Sequence, residues 1–118
     1  IAFCYYRDKK FSKAIEMFER TISILEKEEE RAEAQYWIGH SYFEMENYEK
    51  AISELLKVKY NYGDIAQWSA TAELLIGEAY TKNGKISKAK EAYQKIIRKY
   101  GKFSQWGEVA QTRLQNFN

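Results

Sequence analysis

His40 is the single histidine of this 118-residue sequence, and it stands four residues from both Tyr36 and Glu44. On a helix that spacing puts the three side chains on one face. A carboxylate beside an imidazole is the arrangement of an oriented general base. No Ser, Cys or metal partner is implied nearby, so the pattern reads better as a polar residue facing solvent or a ligand. Cys4 is the single cysteine. Alone, it excludes an intrachain disulfide framework and a cysteine-built zinc site, and one histidine excludes a histidine-rich one. A reactive thiol needs an electropositive, partly exposed setting; the preferred reading of Cys4 is a small residue packed between helices. Gly84-Lys85 follows a helical pattern rather than a strand, so it reads as a turn and not a phosphate loop. Carboxylate pairs occur, but none has the apolar setting of a general acid. The sequence therefore points to no enzyme, no metal and no cofactor.

Charge is uneven although the net is only +2. Residues 1–59 hold ten Lys/Arg against twelve Asp/Glu, and residues 60–118 hold nine against five. Acids concentrate at Glu26, Glu28, Glu29 and Glu30, while segment 82–102 carries eight cations and the one acid Glu91. Such a segment could attract nucleic acid or an anionic membrane. The alternative is the solvated outer face of a helix whose inner face is Ile86, Ala89, Tyr93, Ile96, Ile97 and Tyr100. That second reading is preferred, because no set of base-reading residues recurs per repeat, and no nucleic-acid partner is expected. No apolar run approaches the ~20 residues of a membrane-spanning helix, so no transmembrane segment is expected.

These residues must be positioned by helices. The composition has no Pro, six Gly, 45% hydrophobic and 31% charged residues, which argues against a turn-dense sandwich and against disorder. Three segments align, starting Phe11-Ser12-Lys13-Ala14, Tyr48-Glu49-Lys50-Ala51 and Ile86-Ser87-Lys88-Ala89. Their alanines lie 37 and 38 residues apart. Upstream of the second and third stand Ile38-Gly39-His40-Ser41-Tyr42 and Ile76-Gly77-Glu78-Ala79-Tyr80, and Ile1-Ala2-Phe3-Cys4-Tyr5 fits the same frame. Tyr62-Gly63 with Gln67-Trp68 and Tyr100-Gly101 with Gln105-Trp106 repeat at the junctions. Apolar spacing within each unit predicts two helices: 34–45, a break at Glu46-Asn47 with Asn47 as N-cap, a second helix stopped at Gly63; then 71–82, a break at Asn83-Gly84, and 86–100 stopped at Gly101. A last helix is expected over 107–117. Gly39, Gly77 and Ala14, Ala51, Ala89 are expected where helices approach closely. Trp68 and Trp106 are expected just before first helices, as wedges that set the angle between units.

The ordered set Ile38, Gly39, Tyr42, Tyr48, Ala51, Leu55, Val58 and its counterpart Ile76, Gly77, Tyr80, Ile86, Ala89, Tyr93, Ile96 resembles the tetratricopeptide repeat (TPR) family over nearly the whole chain. Three features depart from that pattern. The units have 37–38 residues rather than about 34, Gln35 and Glu73 replace the early Trp, and Gly63 and Gly101 replace the closing Pro. The longer junctions are similar to TPR units of bacterial envelope proteins, such as the lipoprotein of the outer-membrane assembly machinery and the periplasmic partner of the Tol–Pal system. The resemblance implies an all-α, right-handed α-solenoid of helix-turn-helix units: partial unit 1–30, units 32–69 and 70–107, and terminal helix 108–118. The chain starts inside an amphipathic pattern and is expected to be a fragment, with any targeting signal outside it.

The same resemblance implies a non-catalytic scaffold that binds a protein or peptide in a concave groove lined by first helices. Mapped residue by residue, the groove is Phe3, Tyr6 and Arg7, then Tyr36, His40, Phe43 and Glu44, then Leu74, Glu78, Thr81 and Lys82, with Val109 and Thr112 beyond. Four of these are aromatic, which suits a peptide wall; ordinary core is an equal reading of them. The family's chaperone-carboxylate clamp needs Lys and Asn where Tyr36, His40, Leu74 and Glu78 stand, so that partner is not expected. Two alternatives to the scaffold remain. One is a structural spacer that self-associates through exposed repeat ends. The other is electrostatic binding of nucleic acid or membrane by segment 82–102. The envelope-type units favour bacterial periplasm over cytoplasm.

Overall fold

Apolar side chains recurring every three or four residues build seven helices among residues 2–117, the residues that the computed structural model of the chain describes. Ile1 and Asn118, assigned above to the first unit and the terminal helix, lie outside them. The helices are α1 (Ala2–Arg7), α2 (Phe11–Ile24), α3 (Glu28–Glu44), α4 (Tyr48–Asn61), α5 (Ala66–Lys82), α6 (Ile86–Tyr100) and α7 (Gln105–Gln115). Each packs on its sequence neighbours, α3 also lies along α5, and α5 along α7. First helices thus form one layer and second helices another, giving an all-α helical repeat about 41 × 28 × 20 Å.

The two layers follow from the burial pattern. The second helices are one-sided: α6 buries Ala89, Tyr93 and Ile96, and α2 buries Ala14, Ile15 and Phe18. A single apolar stripe covers one face and leaves the other in water. α3 and α5 are buried on several sides, from Ala32 to Ser41 and from Ser69 to Ala79, because each is held between two neighbours. The core divides into three clusters, one built around each of α2, α4 and α6. They centre on Ile15, Phe18 and Ile38, on Leu55, Val58 and Ile76, and on Tyr93 and Ile96.

The small residues sit where the spacing places them. Ala14, Ala51 and Ala89 are fully buried. A Cβ on Gly39 would stand 2.5 Å from Leu55 Cδ2, and one on Gly77 would stand 2.7 Å from the Tyr93 ring. At the position where the family carries Trp, Gln35 Nε2 donates to the Glu54 carbonyl oxygen (3.0 Å) and to Glu54 Oε1 (3.2 Å). Lys57 Nζ stands 2.9 Å from Glu54 Oε2. Its counterpart Glu73 meets Lys99 Nζ at 3.3 Å. Polar links between α3 and α4, and between α5 and α6, therefore take the place of an indole.

The turns inside the units are the same turn three times. Lys10 N donates to Tyr5 O, Asn47 N to Tyr42 O and Lys85 N to Tyr80 O, with a second bond from Lys9, Glu46 and Gly84 to Tyr6, Phe43 and Thr81. These paired bonds close the helix ends. They require left-handed backbone at the first residue, φ 62° at Lys9 and Glu46 and 78° at Gly84. Only Gly adopts that conformation without steric cost, which for other residues is about 1–2 kcal/mol. Glu46→Gly is therefore expected to raise stability by about 0.5–1 kcal/mol, and Gly84→Ala to lower it by about 1 kcal/mol. Urea unfolding of both variants measures this, and equal midpoints for all three proteins would reject it.

Some helices begin earlier than apolar spacing indicates. α3 starts at Glu28 rather than near 34, and α5 at Ala66 rather than 71. The first turn of α3 is Glu28, Glu29 and Glu30, acids that suit a helix N-terminus and carry no apolar period. Trp68 and Trp106 consequently lie inside the first turns of α5 and α7, not before them. Trp68 still wedges between units, its ring 5.6 Å from that of Tyr36. The expected N-cap holds: Asn47 Oδ1 accepts from Lys50 N at 3.4 Å. Cys4 departs from expectation. Ser41 and Ala79 at its equivalent positions are fully buried, whereas Cys4 is exposed, because among the described residues no first helix precedes α1, while α3 packs on α2, α4 and α5, and α5 on α3, α4, α6 and α7.

Candidate functional site

The groove residues separate into two groups. Phe43 on α3 and Glu78, Thr81 and Lys82 on α5 surround one cavity of about 360 Å³ on the first-helix layer. Arg113, Asn116 and Phe117 complete it from α7 and its end, and Tyr93 reaches it from α6. Arg113 Nη2 donates to Glu78 Oε1 at 2.6 Å, joining α7 to α5 across the rim. Thr81 Oγ1 donates to its own helix at Gly77 O (2.9 Å). Lys82 is exposed and forms no ion pair among the described residues. The walls are thus apolar and the rim carries one spare cation. Burial pushes the Tyr93 phenol up to about 12, Glu78 adds to that, and Arg113 and Thr81 oppose it. The hydroxyl therefore stays protonated at neutral pH, a neutral hydrogen-bonding group at the cavity floor.

Phe3, Tyr6, Tyr36 and His40 gather elsewhere, around Trp37. Phe3 and Tyr6 meet the Trp37 indole edge-on at 5.5 and 5.1 Å, and Tyr36 does so at 5.3 Å. Tyr36 is 8% exposed and belongs to the central core cluster. Arg7 ends α1 and is exposed, and Leu74 is half-buried against the third cluster. Val109 and Thr112 are exposed on α7, Thr112 bonded back to Glu108 O. Sequence reasoning missed Trp37, Arg113 and Phe117. Phe117 had a signal: the repeat offset aligns it with the small residues Ser41 and Ala79, so a large side chain there breaks the frame.

His40 bridges α1 and α3. Its Nδ1 lies 2.7 Å from the Tyr6 hydroxyl oxygen and 3.8 Å from Glu44 Oε1. The rings of Tyr6, Tyr36, Trp37 and Phe43 surround it. Burial lowers its affinity for a proton; Glu44, a backbone hydrogen bond and Glu78 pull the other way without winning. The Tyr6 phenol, raised to about 12 by burial and Glu44, keeps its proton and is hydrogen-bonded to the neutral imidazole. A histidine that resists protonation when folded binds more protons unfolded. Its stabilising contribution is therefore full above the ordinary value of about 6.5 and is lost as pH falls through and below it. The wild type is expected to lose more melting temperature than His40→Gln between neutral pH and pH ~5. Equal losses would show that His40 titrates as it does in the unfolded chain.

No group of three or more metal-ligating side chains occurs among the described residues, and no described helix is long and apolar enough to cross a membrane. A search of the curated proteins found no match. A family model described as a tetratricopeptide repeat-like domain matches residues 2–118. Two layers of helices, close contacts at Gly39 and Gly77 and a turn repeated three times are what that match describes in space, and the chain belongs to the tetratricopeptide repeat-like family.

Proposed function

We propose that the chain is a non-catalytic scaffold that holds a peptide or protein segment on its first-helix face, over the cavity between Phe43 and Phe117. The observation that carries this reading is the meeting of four expected groove residues, Phe43, Glu78, Thr81 and Lys82, around one cavity of about 360 Å³ with an apolar lining and a cationic rim. A peptide side chain of matching polarity fits there: an apolar body between the two Phe rings and a carboxylate toward Lys82. Family membership supports a protein partner, since repeats of this kind present extended surfaces for binding. The test is capture from a lysate of the source cells with the wild type and with Lys82→Glu combined with Phe43→Ser. Both changes lie on exposed or half-buried side chains, and circular dichroism checks the fold. A partner held by the wild type and lost by the variant supports the site; identical capture by both rejects it.

We also propose a bacterial envelope setting, periplasm ahead of cytoplasm. It rests on the 37–38-residue units and their similarity to envelope-type repeats. Cell fractionation of the parent protein tests it, and recovery with cytoplasmic markers would reject it.

A further inference from the structure

On the opposite face, α4 and α6 flank a groove of about 300 Å³ with α5 as its floor. Leu56, Ile76 and Tyr80 make the bottom apolar, and Lys59, Lys88 and Lys95 line the walls. None of these three lysines forms an ion pair among the described residues. Of the two acids in the groove, Glu73 is already held by Lys99 at 3.3 Å, so Glu91 alone faces three cations. The turn between α2 and α3 has the opposite character. Ile24 is 78% exposed, and Glu26, Glu28, Glu29 and Glu30 follow it, all exposed and none in an ion pair. A helix N-terminus accounts for acids at 28–30. It does not account for Glu26, nor for a bare isoleucine beside them.

We propose that the turn from Ile24 to Glu30 of one copy docks in the α4–α6 groove of a second copy. Ile24 enters over Leu56 and Ile76, and the carboxylates meet Lys59, Lys88 and Lys95. The charge asymmetry of the chain has the same sense, acidic in its first half and basic in its second. Turn and groove are different surfaces, so a contact made once leaves one of each unfilled and lets further copies add, in an open chain or a closed ring.

Sedimentation across a dilution series tests this. In about 0.01 M salt, where charges act over about 30 Å, the mass is expected to rise with concentration past that of a dimer. In about 1 M salt, where the range is about 3 Å, it is expected to return to that of a monomer. Lys88→Gln with Lys95→Gln spoils the groove, and Glu28→Lys with Glu29→Lys spoils the turn. Each double variant alone is expected to stay monomeric. Mixed, they form a complex that stops at two chains, because only one intact groove meets one intact turn. Ile24→Ser, a neutral change on an exposed side chain, is expected to weaken association at least about tenfold by removing the apolar contact. A wild type that remains monomeric in low salt overturns the proposal, even if the groove retains another acidic protein or a nucleic acid. So does a wild type that associates while the mixed variants do not, since association then runs through another surface.

Discussion

Gly77→Ala is expected to destabilise the protein by about 1–2 kcal/mol, although alanine is the better helix former. The two effects have opposite signs and comparable size. Replacing a mid-helix glycine gains about 1 kcal/mol of propensity. Against it, the new Cβ would lie 2.7 Å from the Tyr93 ring, well inside van der Waals contact. Tyr93 is 1% exposed and is packed against Ala110 and Phe117 at the α7 end, so moving the ring disturbs those neighbours. Overpacking of a filled core costs about 1–3 kcal/mol, and here it wins. For a chain of this length that corresponds to a fall of several degrees in melting temperature. The double variant Gly77→Ala/Tyr93→Leu separates the cause. If contact with the ring is the source, the double is expected to lose at least about 0.5 kcal/mol less than the two single losses added. Strict additivity would mean that the glycine is required for another reason. Because Tyr93 also reaches the cavity between Phe43 and Phe117, the same substitution is expected to change the shape of the candidate site.

The close approach at Gly77 was legible in the sequence because it repeats. Gly39 and Gly77, and the three buried alanines, recur at one period, and a recurrent cost inside helices requires a recurrent packing reason. The layer order and the turns at Glu46-Asn47 and Asn83-Gly84 follow from the same period. The starts of α3 and α5 do not, because Glu28 to Glu30 and Ala66-Gln67 have no apolar rhythm; a helix-terminus charge argument at Glu28 would have found the first of them. The candidate site was legible only in part. Frame positions identify the face of a helix but not which neighbour covers it. Tyr36 and Phe43 lie on the same face of α3. Trp68 of the next first helix comes down on Tyr36, however, while Phe43, the second-last residue of the helix, is left beside a cavity. Arg113 was invisible for a related reason. Its frame equivalents are Trp37 and Leu75, apolar because helices cover them. On α7, among the described residues, nothing packs beyond it, and a charged residue there can turn to Glu78.

The largest single effect is expected from Tyr36→Ala, at about 3–5 kcal/mol, the range for truncating a buried aromatic. Tyr36 is 8% exposed and in ring contact with Trp37, His40 and Trp68. It therefore ties the α1–α3 cluster to the α3–α5 contact, and its loss opens a void at the boundary of two units. A domain of this size has about 5–15 kcal/mol in total, so the variant is expected to be partly unfolded at physiological temperature. Tyr36→Phe keeps the ring and is expected to change stability by less than about 1 kcal/mol, which separates the ring's packing from its hydroxyl. Phe43→Ala, at a half-buried side chain, is expected to fall between them. Urea titration of the three variants decides the matter. A Tyr36→Ala loss below about 1 kcal/mol would place Tyr36 on an open wall and restore it to the binding face. A large loss makes Tyr36 unusable as a binding probe, because any partner it loses is lost with the fold. Binding at this face then has to be tested through Lys82 and Phe43, whose side chains border the cavity without joining the units together.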